Sequence, residues 1–366
     1  MTKITKIAVA VLCSFAVSAI SFAGELTVTG NAKATYNITS SDSLAGASSS
    51  GKGIGIANEF SLGASGELDN GWTWNYAQDI DGATVQDDAK MTMTTNYGTV
   101  GVFVSEGGIS AKYGFDTSAY APGSDYGTTG GSGAHENGKA GAGYTYGADI
   151  GGYNNFQYHL PAGVLPYSGV IKLAYAPTTG KNQNASSNAG GAAPTTGNGQ
   201  SAYQVYGSFA PVDGALVKGS YFAKEYDAAS NLVESGYEAT GLTGKYALGA
   251  FSVGLGRFYV IPADGNAVTT ADTNHVEMYT NDAISVGLVV NDNLSVSLMK
   301  ENSDATQKLN GLVNSVSSIS SQILSAQAAY TMGGMTVSLA QKQIDNFAYT
   351  DGRDQVETVV AVVMAF

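Results

Sequence analysis

Residues 26–38 read Leu-Thr-Val-Thr-Gly-Asn-Ala-Lys-Ala-Thr-Tyr-Asn-Ile, an alternation without a break. Leu26, Val28, Gly30, Ala32, Ala34, Tyr36 and Ile38 fall on one face; Thr27, Thr29, Asn31, Lys33, Thr35 and Asn37 fall on the other. A period of two belongs to a strand with one apolar and one polar face, and a helix would scatter the same residues around its circumference. The pattern returns at once. Ile54, Ile56, Phe60, Leu62 and Ala64 stand against Gly55, Ala57, Glu59, Ser61 and Ser65, and Trp72, Trp74, Tyr76 and Ile80 resume it after the tight turn Asp69-Asn70-Gly71. Further short turns are Asn96-Tyr97-Gly98, Pro211-Val212-Asp213-Gly214, Asn291-Asp292-Asn293 and Gly333-Gly334.

Between these turns lie long polar stretches, roughly 39–52, 81–89, 106–140, 177–200, 227–234, 262–274, 302–316 and 346–354. Short and long connections alternate along the chain. A soluble sandwich has no reason for this two-sided asymmetry. A transmembrane barrel has it as a rule, with short periplasmic turns, long external loops and strands of about ten residues. Counting segments gives an all-β, antiparallel transmembrane barrel of about sixteen strands, an even number as such barrels have. The stretch 305–330 is ambiguous, because Leu309, Leu312, Val316, Ile319 and Ile323 also fit a helix face. A short loop helix followed by a strand through Tyr330 accommodates both patterns.

Composition agrees with a membrane-facing strand protein. Of 366 residues, 13% are charged, against roughly 25% in a soluble globular protein. The 43% apolar content excludes a disordered chain. After residue 25 the longest strictly apolar run is Val359–Phe366, far short of the roughly 20 residues a membrane-crossing helix needs. A mean hydropathy of −0.02 fits strands that turn one face to lipid and the other to water. The 22 tyrosines suit interfacial girdles, with Tyr97 a candidate for the periplasmic ring and Tyr36 for the outer one.

The two ends carry routing information. Lys3 and Lys6 precede an apolar or small run from Ile7 to Ile20, and Ser21-Phe22-Ala23 offers small residues for cleavage after Ala23. Residues 1–23 therefore read as a signal peptide and 24–366 as the barrel domain, exported to the outer membrane of a Gram-negative cell. Cleavage removes Cys13, the single cysteine, and leaves 15 basic against 30 acidic residues, a net charge of −15. At the other end, Val356, Thr358, Val360, Val362, Met364 and Phe366 share one face of a final strand. That strand resembles the terminal strand of bacterial outer-membrane barrels, which implies that Phe366, with Met364 and Val362, is read by the barrel-assembly machinery.

Three stretches resemble the bacterial trimeric porins, in particular those of alphaproteobacteria: Gly30-Asn31-Ala32-Lys33; Asn58-Glu59-Phe60-Ser61-Leu62-Gly63 leading to Leu68-Asp69-Asn70-Gly71-Trp72; and Asn96-Tyr97-Gly98-Thr99-Val100-Gly101-Val102. The resemblance implies a sixteen-stranded homotrimer in lipid and lipopolysaccharide, passing small hydrophilic solutes, with its third external loop folded inward. That loop is about 106–140 here. The sequence departs from the family in its arginines. Only Arg257 and Arg353 are present where porins of this group often carry a wall cluster.

Alternation instead places Lys33, Lys172, Lys218, Lys224 and Lys342 on the lumen wall, with Glu59 and Asp79 as acids there. The constriction loop carries Glu106, Asp116, Asp125 and Glu136. Opposed charges across a narrow aqueous pore would orient dipolar solutes; the plainer alternative is that they only solvate the lumen. Acids outnumbering bases two to one predict a modest cation preference, which the lumen lysines oppose. A substrate-selective porin and a non-conducting structural or adhesive barrel are the alternatives.

Other chemistry finds no support. The chain lacks a P-loop, a dinucleotide fingerprint, H-E-x-x-H and G-x-S-x-G, so no enzyme is expected. His135, His159 and His275 have no ligand spacing, and no cofactor is expected beyond Ca²⁺ weakly held by Asp87-Asp88 or Asp351-Gly352-Arg353-Asp354. The negative charge argues against nucleic acid.

Overall fold

The computed structural model describes residues 26–41, 49–81, 84–119, 146–179, 201–225, 236–262, 275–308, 316–349 and 351–365. The signal-peptide reading of residues 1–23 and the terminal Phe366 lie outside the described residues. The described chain forms sixteen strands: β1 (Leu26–Ser41), β2 (Ser49–Glu67), β3 (Thr73–Asp81), β4 (Thr84–Thr95), β5 (Gly98–Val104), β6 (Asn155–His159), β7 (Val170–Ala176), β8 (Ala202–Phe209), β9 (Ala215–Lys224), β10 (Tyr237–Leu248), β11 (Phe251–Ile261), β12 (His275–Val289), β13 (Leu294–Lys308), β14 (Val316–Met332), β15 (Met335–Asp345) and β16 (Gln355–Ala365). Each pairs antiparallel with its sequence neighbours, and β1 closes on β16 from Asn31↔Ala365 to Ser41↔Gln355. Closure leaves no open edge, so the backbone donors and acceptors of every strand find partners inside the protein.

The period of two sorts side chains cleanly. Leu26, Val28, Ile54, Met91, Phe156, Leu173, Val205, Leu242, Leu255, Ile284, Leu298, Leu324, Leu339 and Val360 are exposed on the outside. Two aromatic bands bound this apolar belt: Phe209, Tyr246, Phe251 and Tyr330 toward the short turns, Tyr36, Tyr175, Tyr203 and Tyr259 toward the long connections. Such a belt is the surface a hydrocarbon layer requires of a barrel. The packed core lies inside the barrel. Ile109, Ile150, Phe222, Tyr237, Val260 and Tyr279 cluster there, between the inner wall and the segment that joins β5 to β6.

Several strands run past the limits that hydropathy sets. Residues 81–89, expected as a loop, are mostly taken up by β3 and β4, so Asp87 and Asp88 belong to a strand. The 39–52 and 302–316 stretches likewise yield residues to β1, β2 and β13. In the ambiguous stretch 305–330, β13 reaches Lys308 and β14 runs from Val316 through Tyr330 as a strand, with Ile319 and Ile323 facing inward, while the loop-helix positions Leu309 and Leu312 lie outside the described residues. Polar Ser- and Thr-rich segments can continue a ladder because neighbouring strands supply the hydrogen bonds. Hydropathy therefore marks the end of the apolar belt and not the end of the strand.

The short turns depend on glycine at defined points. Gly98 opens β5 at φ 121°, and a Cβ there would lie 2.4 Å from the carbonyl oxygen of His159 on β6.

Candidate functional site: the lumen

The segment after β5 enters the barrel and is tied down in order along the wall. Lys90 of β4 meets Glu106 at 2.5 Å, and Asn155 and Gln157 of β6 donate to the carbonyls of Glu106 (3.0 Å) and Gly107 (2.5 Å). The carboxylate of Asp149 accepts from the backbone N–H groups of Ile109 and Ser110, at 3.1 and 2.7 Å, joining the outgoing and returning limbs. Farther on, the Ala111 N–H reaches Ser220 of β9 (2.8 Å), Lys245 of β10 donates to the Asp116 carbonyl (3.3 Å), and the Thr117 N–H reaches Ser285 of β12 (3.1 Å). The returning limb donates from Tyr146 to Glu301 of β13, from Ala148 N–H to Tyr237 of β10 (2.8 Å) and from Ile150 N–H to Gln204 of β8 (2.8 Å).

Small residues make the seat possible. A Cβ on Gly254 would fall 1.7 Å from the carbonyl oxygen of Phe115, and one on Gly256 would meet the Phe115 ring at 2.9 Å. With that space open, Phe115 is fully buried against Phe258, their centroids 6.0 Å apart, and Tyr146 meets Phe258 edge to face at 4.6 Å.

The inward segment does not sit centrally. Inner side chains of β12–β16, among them Ser285, Ser303, Ser325 and Ser338, are buried. On β1–β4, Asn31, Lys33, Ser61, Asn75, Asp79, Lys90 and Thr92 are half-buried or exposed, while Thr35, opposite Ala361 of β16, is buried. The connection from β15 to β16 adds a second inward contact. Tyr349 is buried with its hydroxyl 2.7 Å from Ser303 and its ring 5.2 Å from Tyr279, and Arg353 lies over Phe347 at 4.9 Å. Burial raises the pKa of Tyr349 well above the ordinary tyrosine value, so the phenol stays neutral.

The residues singled out from sequence fall as follows. Lys33, Lys172, Lys218, Lys224 and Lys342 stand on inner faces of β1, β7, β9 and β15. Lys172 lies over the Tyr206 ring at 5.8 Å, Lys224 over Tyr153 at 5.3 Å, and Lys342 pairs with Glu357 of β16 at 2.5 Å. Asp79 accepts from Ser61, and Glu59 occupies β2 opposite Asn31 and Asp81. Glu106 and Asp116 belong to the inward segment, while Asp125 and Glu136 lie outside the described residues. Met364 and Val362 pair into β15 as part of the closing strand. Arg257 faces outward and pairs with Asp282 at 3.4 Å. Asp354, considered for Ca²⁺, accepts from the Asn346 N–H at 3.1 Å; among the described residues no group of three or more His, Cys, Asp or Glu side chains is placed to hold a metal.

Sequence reading passed over Lys90, Lys245, Glu301 and Glu357. Alternation carries the signal for Lys245, which lies in phase with Tyr237, Ala239 and Thr243, but Gly241 and Gly244 dilute the pattern.

No protein-family model matches the chain, and no curated protein is similar to it in sequence. Its fold does have solved counterparts. The anion-selective porin from Comamonas acidovorans superposes with a TM-score of 0.60 at 13% identity, covering 93% of this chain and all of that one. OmpF of Salmonella typhi, solved with daunomycin, gives 0.60 at 13% identity over 94% and 98% of the two chains. The outer membrane channel DcaP of Acinetobacter baumannii gives 0.60 at 10% identity over 96% and 100%. The chain shares the fold of these bacterial porins. At such identities the likeness carries the fold and no residue role.

Proposed function

We propose that this protein is an outer-membrane channel of porin type, through which small hydrophilic solutes and ions diffuse passively. The observation that carries the reading is the closed sixteen-stranded ring, with an apolar belt outside and a polar inner wall that the Glu106–Ser118 segment narrows from within. A ring of this kind needs neither cofactor nor energy input. It offers a hydrated path along the more exposed wall of β1–β4, where Asn31, Lys33, Asp79 and Lys90 meet water. Glu106, paired with Lys90 of the wall, and Asp116 on the inward segment are the constriction acids in this reading. The whole-chain excess of acid favours cations by count, but the sign of selectivity follows the charges that face the water.

One observation favours a second reading, a selective or non-conducting barrel. The inner faces of β12–β16 are closed off, with Lys342, Glu357 and Ser338 each almost inaccessible. Single-channel recording of the purified, refolded protein separates the two. Steps of ohmic conductance are expected from a channel, and a folded barrel that never conducts overturns the first reading. Electrophoretic mobility before and after boiling reports whether the barrel is folded and whether it forms the homotrimer that the sequence resemblance implies.

A further inference from the structure

Charge is unevenly distributed around the inner wall. Among the described residues, the inward faces of the six consecutive strands β6–β11 carry Lys172, Lys218, Lys224 and Lys245 and no Asp or Glu. Glu238 of β10 and Arg257 of β11 are exposed on the outside. The inward acids stand on other strands, among them Glu59 and Glu67 on β2, Asp79 on β3, Glu301 on β13 and Glu357 on β16. Three of these acids are also occupied. Asp79 accepts from Ser61, Glu301 from Tyr146, and Glu357 from both Asn37 and Lys342.

Three of the four lysines gather at one end. Lys172 is the third residue of β7, Lys218 the fourth of β9, and Lys245 the fourth from the end of β10. Each is thus about 10 Å or less from the short-turn mouth, at roughly 3.3 Å per residue. Lys218 lies opposite Thr243, two residues from Lys245 on the same face. Diagonal neighbours of this kind have Cβ atoms roughly 7–8 Å apart, close enough for two lysine chains to reach one anion. Lys172 stands beyond β8, opposite Tyr206, with His159 of β6 at its other side. All three lysines are partly accessible, and none forms an ion pair among the described residues. The nearest acidic residue on the inward segment, Asp116, turns its backbone carbonyl to Lys245 and accepts from the Ser118 N–H with its carboxylate.

We infer that Lys172, Lys218 and Lys245 form an anion-gathering arc at the short-turn mouth of the lumen, and that the channel passes small anions, such as chloride, inorganic phosphate and carboxylates, in preference to cations. The inference rests on the channel reading and gives it a solute class. Unpaired cations on a low-dielectric wall concentrate counter-ions in the water beside them, and lysine is a mobile point charge that holds phosphate or carboxylate without fixing it. The chain-wide charge of the protein has little part in this, because acids on exposed loops are screened over about 8 Å at physiological salt.

The test is the reversal potential of the full folded protein in a planar bilayer under a KCl gradient. The wild type is expected to reverse on the chloride side of zero. The K172Q/K218Q/K245Q variant is expected to shift toward the potassium potential, each single variant by a smaller step, and K300Q, whose side chain lies outside the barrel, by none. Inorganic phosphate added at the short-turn side should reduce chloride current in the wild type and lose that effect in K218Q/K245Q. Potassium preference in the wild type overturns the inference, as does a triple variant with unaltered selectivity. If the triple variant does not fold, the wild-type sign and the K218Q shift decide. Absence of all conductance from folded protein overturns the channel reading beneath it, a result distinct from either.

Discussion

Lys342 on β15 and Glu357 on β16 lie directly across one antiparallel pair, meeting at 2.5 Å on the inner wall with 5% of each side chain exposed. Asn37 of β1 donates to the same carboxylate, so three strands that close the ring share one buried polar knot. Breaking such a pair leaves a charge without compensation, whereas replacing both members removes the demand for solvation. Glu357→Gln is therefore expected to destabilise the folded barrel by about 3–5 kcal/mol, and Lys342→Met with Glu357→Leu to recover most of the loss. Urea midpoints of the detergent-folded protein, followed by heat modifiability on gels, measure both.

The ion pair of Arg257 and Asp282 makes the contrast. It is longer, at 3.4 Å, and its side chains are 56% and 50% exposed on the outside. Asp282→Asn should alter the same urea midpoint by no more than about 1 kcal/mol. A loss as large as that of Glu357→Gln would show that this outer face is covered in the assembled protein.

Gly254 and Gly256 leave the space that Phe115 occupies, and a side chain at 254 has no room beside the Phe115 carbonyl. Gly254→Val is expected to lift the Phe115–Thr117 stretch off the wall at a cost of about 1–3 kcal/mol. Single-channel conductance should change with it while the barrel stays folded. Ser285→Ala, which removes only the tie to Thr117, should produce a smaller change of the same kind.

Tyr349 supplies a pH dependence outside the spanning strands. Its raised pKa means that the folded protein holds the phenolic proton more tightly than the unfolded chain. The associated stability is complete below the ordinary tyrosine pKa and falls as pH rises above it. Tyr349→Phe should flatten that alkaline decline and lose about 1 kcal/mol from the hydrogen bond with Ser303 at neutral pH. Urea titrations at neutral and strongly alkaline pH read both effects.

The final aromatic gives a test in the cell. Phe366→Ser is expected to lower the amount of assembled barrel in the outer membrane while leaving refolding in detergent intact. Equal yields of the two proteins in membrane fractions would sink the assembly role.

The unbroken alternation of residues 26–38 made the barrel legible, because hydrocarbon outside and water inside impose the same period on every spanning strand. Strand ends were not legible: Thr84–Ala89 and Asn302–Lys308 are polar, and their pairing depends on neighbouring strands. Partnerships inside the lumen were hidden for a related reason. Tyr146 and Glu301 are separated by 155 residues, and nothing local to either announces the other. Glu357, 15 residues from Lys342, sits in a strand whose apolar residues drew attention to its opposite face.

The ties of the inward segment also bear on how the molecule is built. Ala111 waits for Ser220, Thr117 for Ser285 and Tyr146 for Glu301, spans of 109, 168 and 155 residues. None of these bonds can form until β9, β12 and β13 are in place, and contacts of such separation form slowly. The ring can therefore be threaded and closed before the segment finds its seat. The narrowing would be the last part of the molecule to mature, and a newly inserted barrel would pass through a wider, less discriminating stage before it settles.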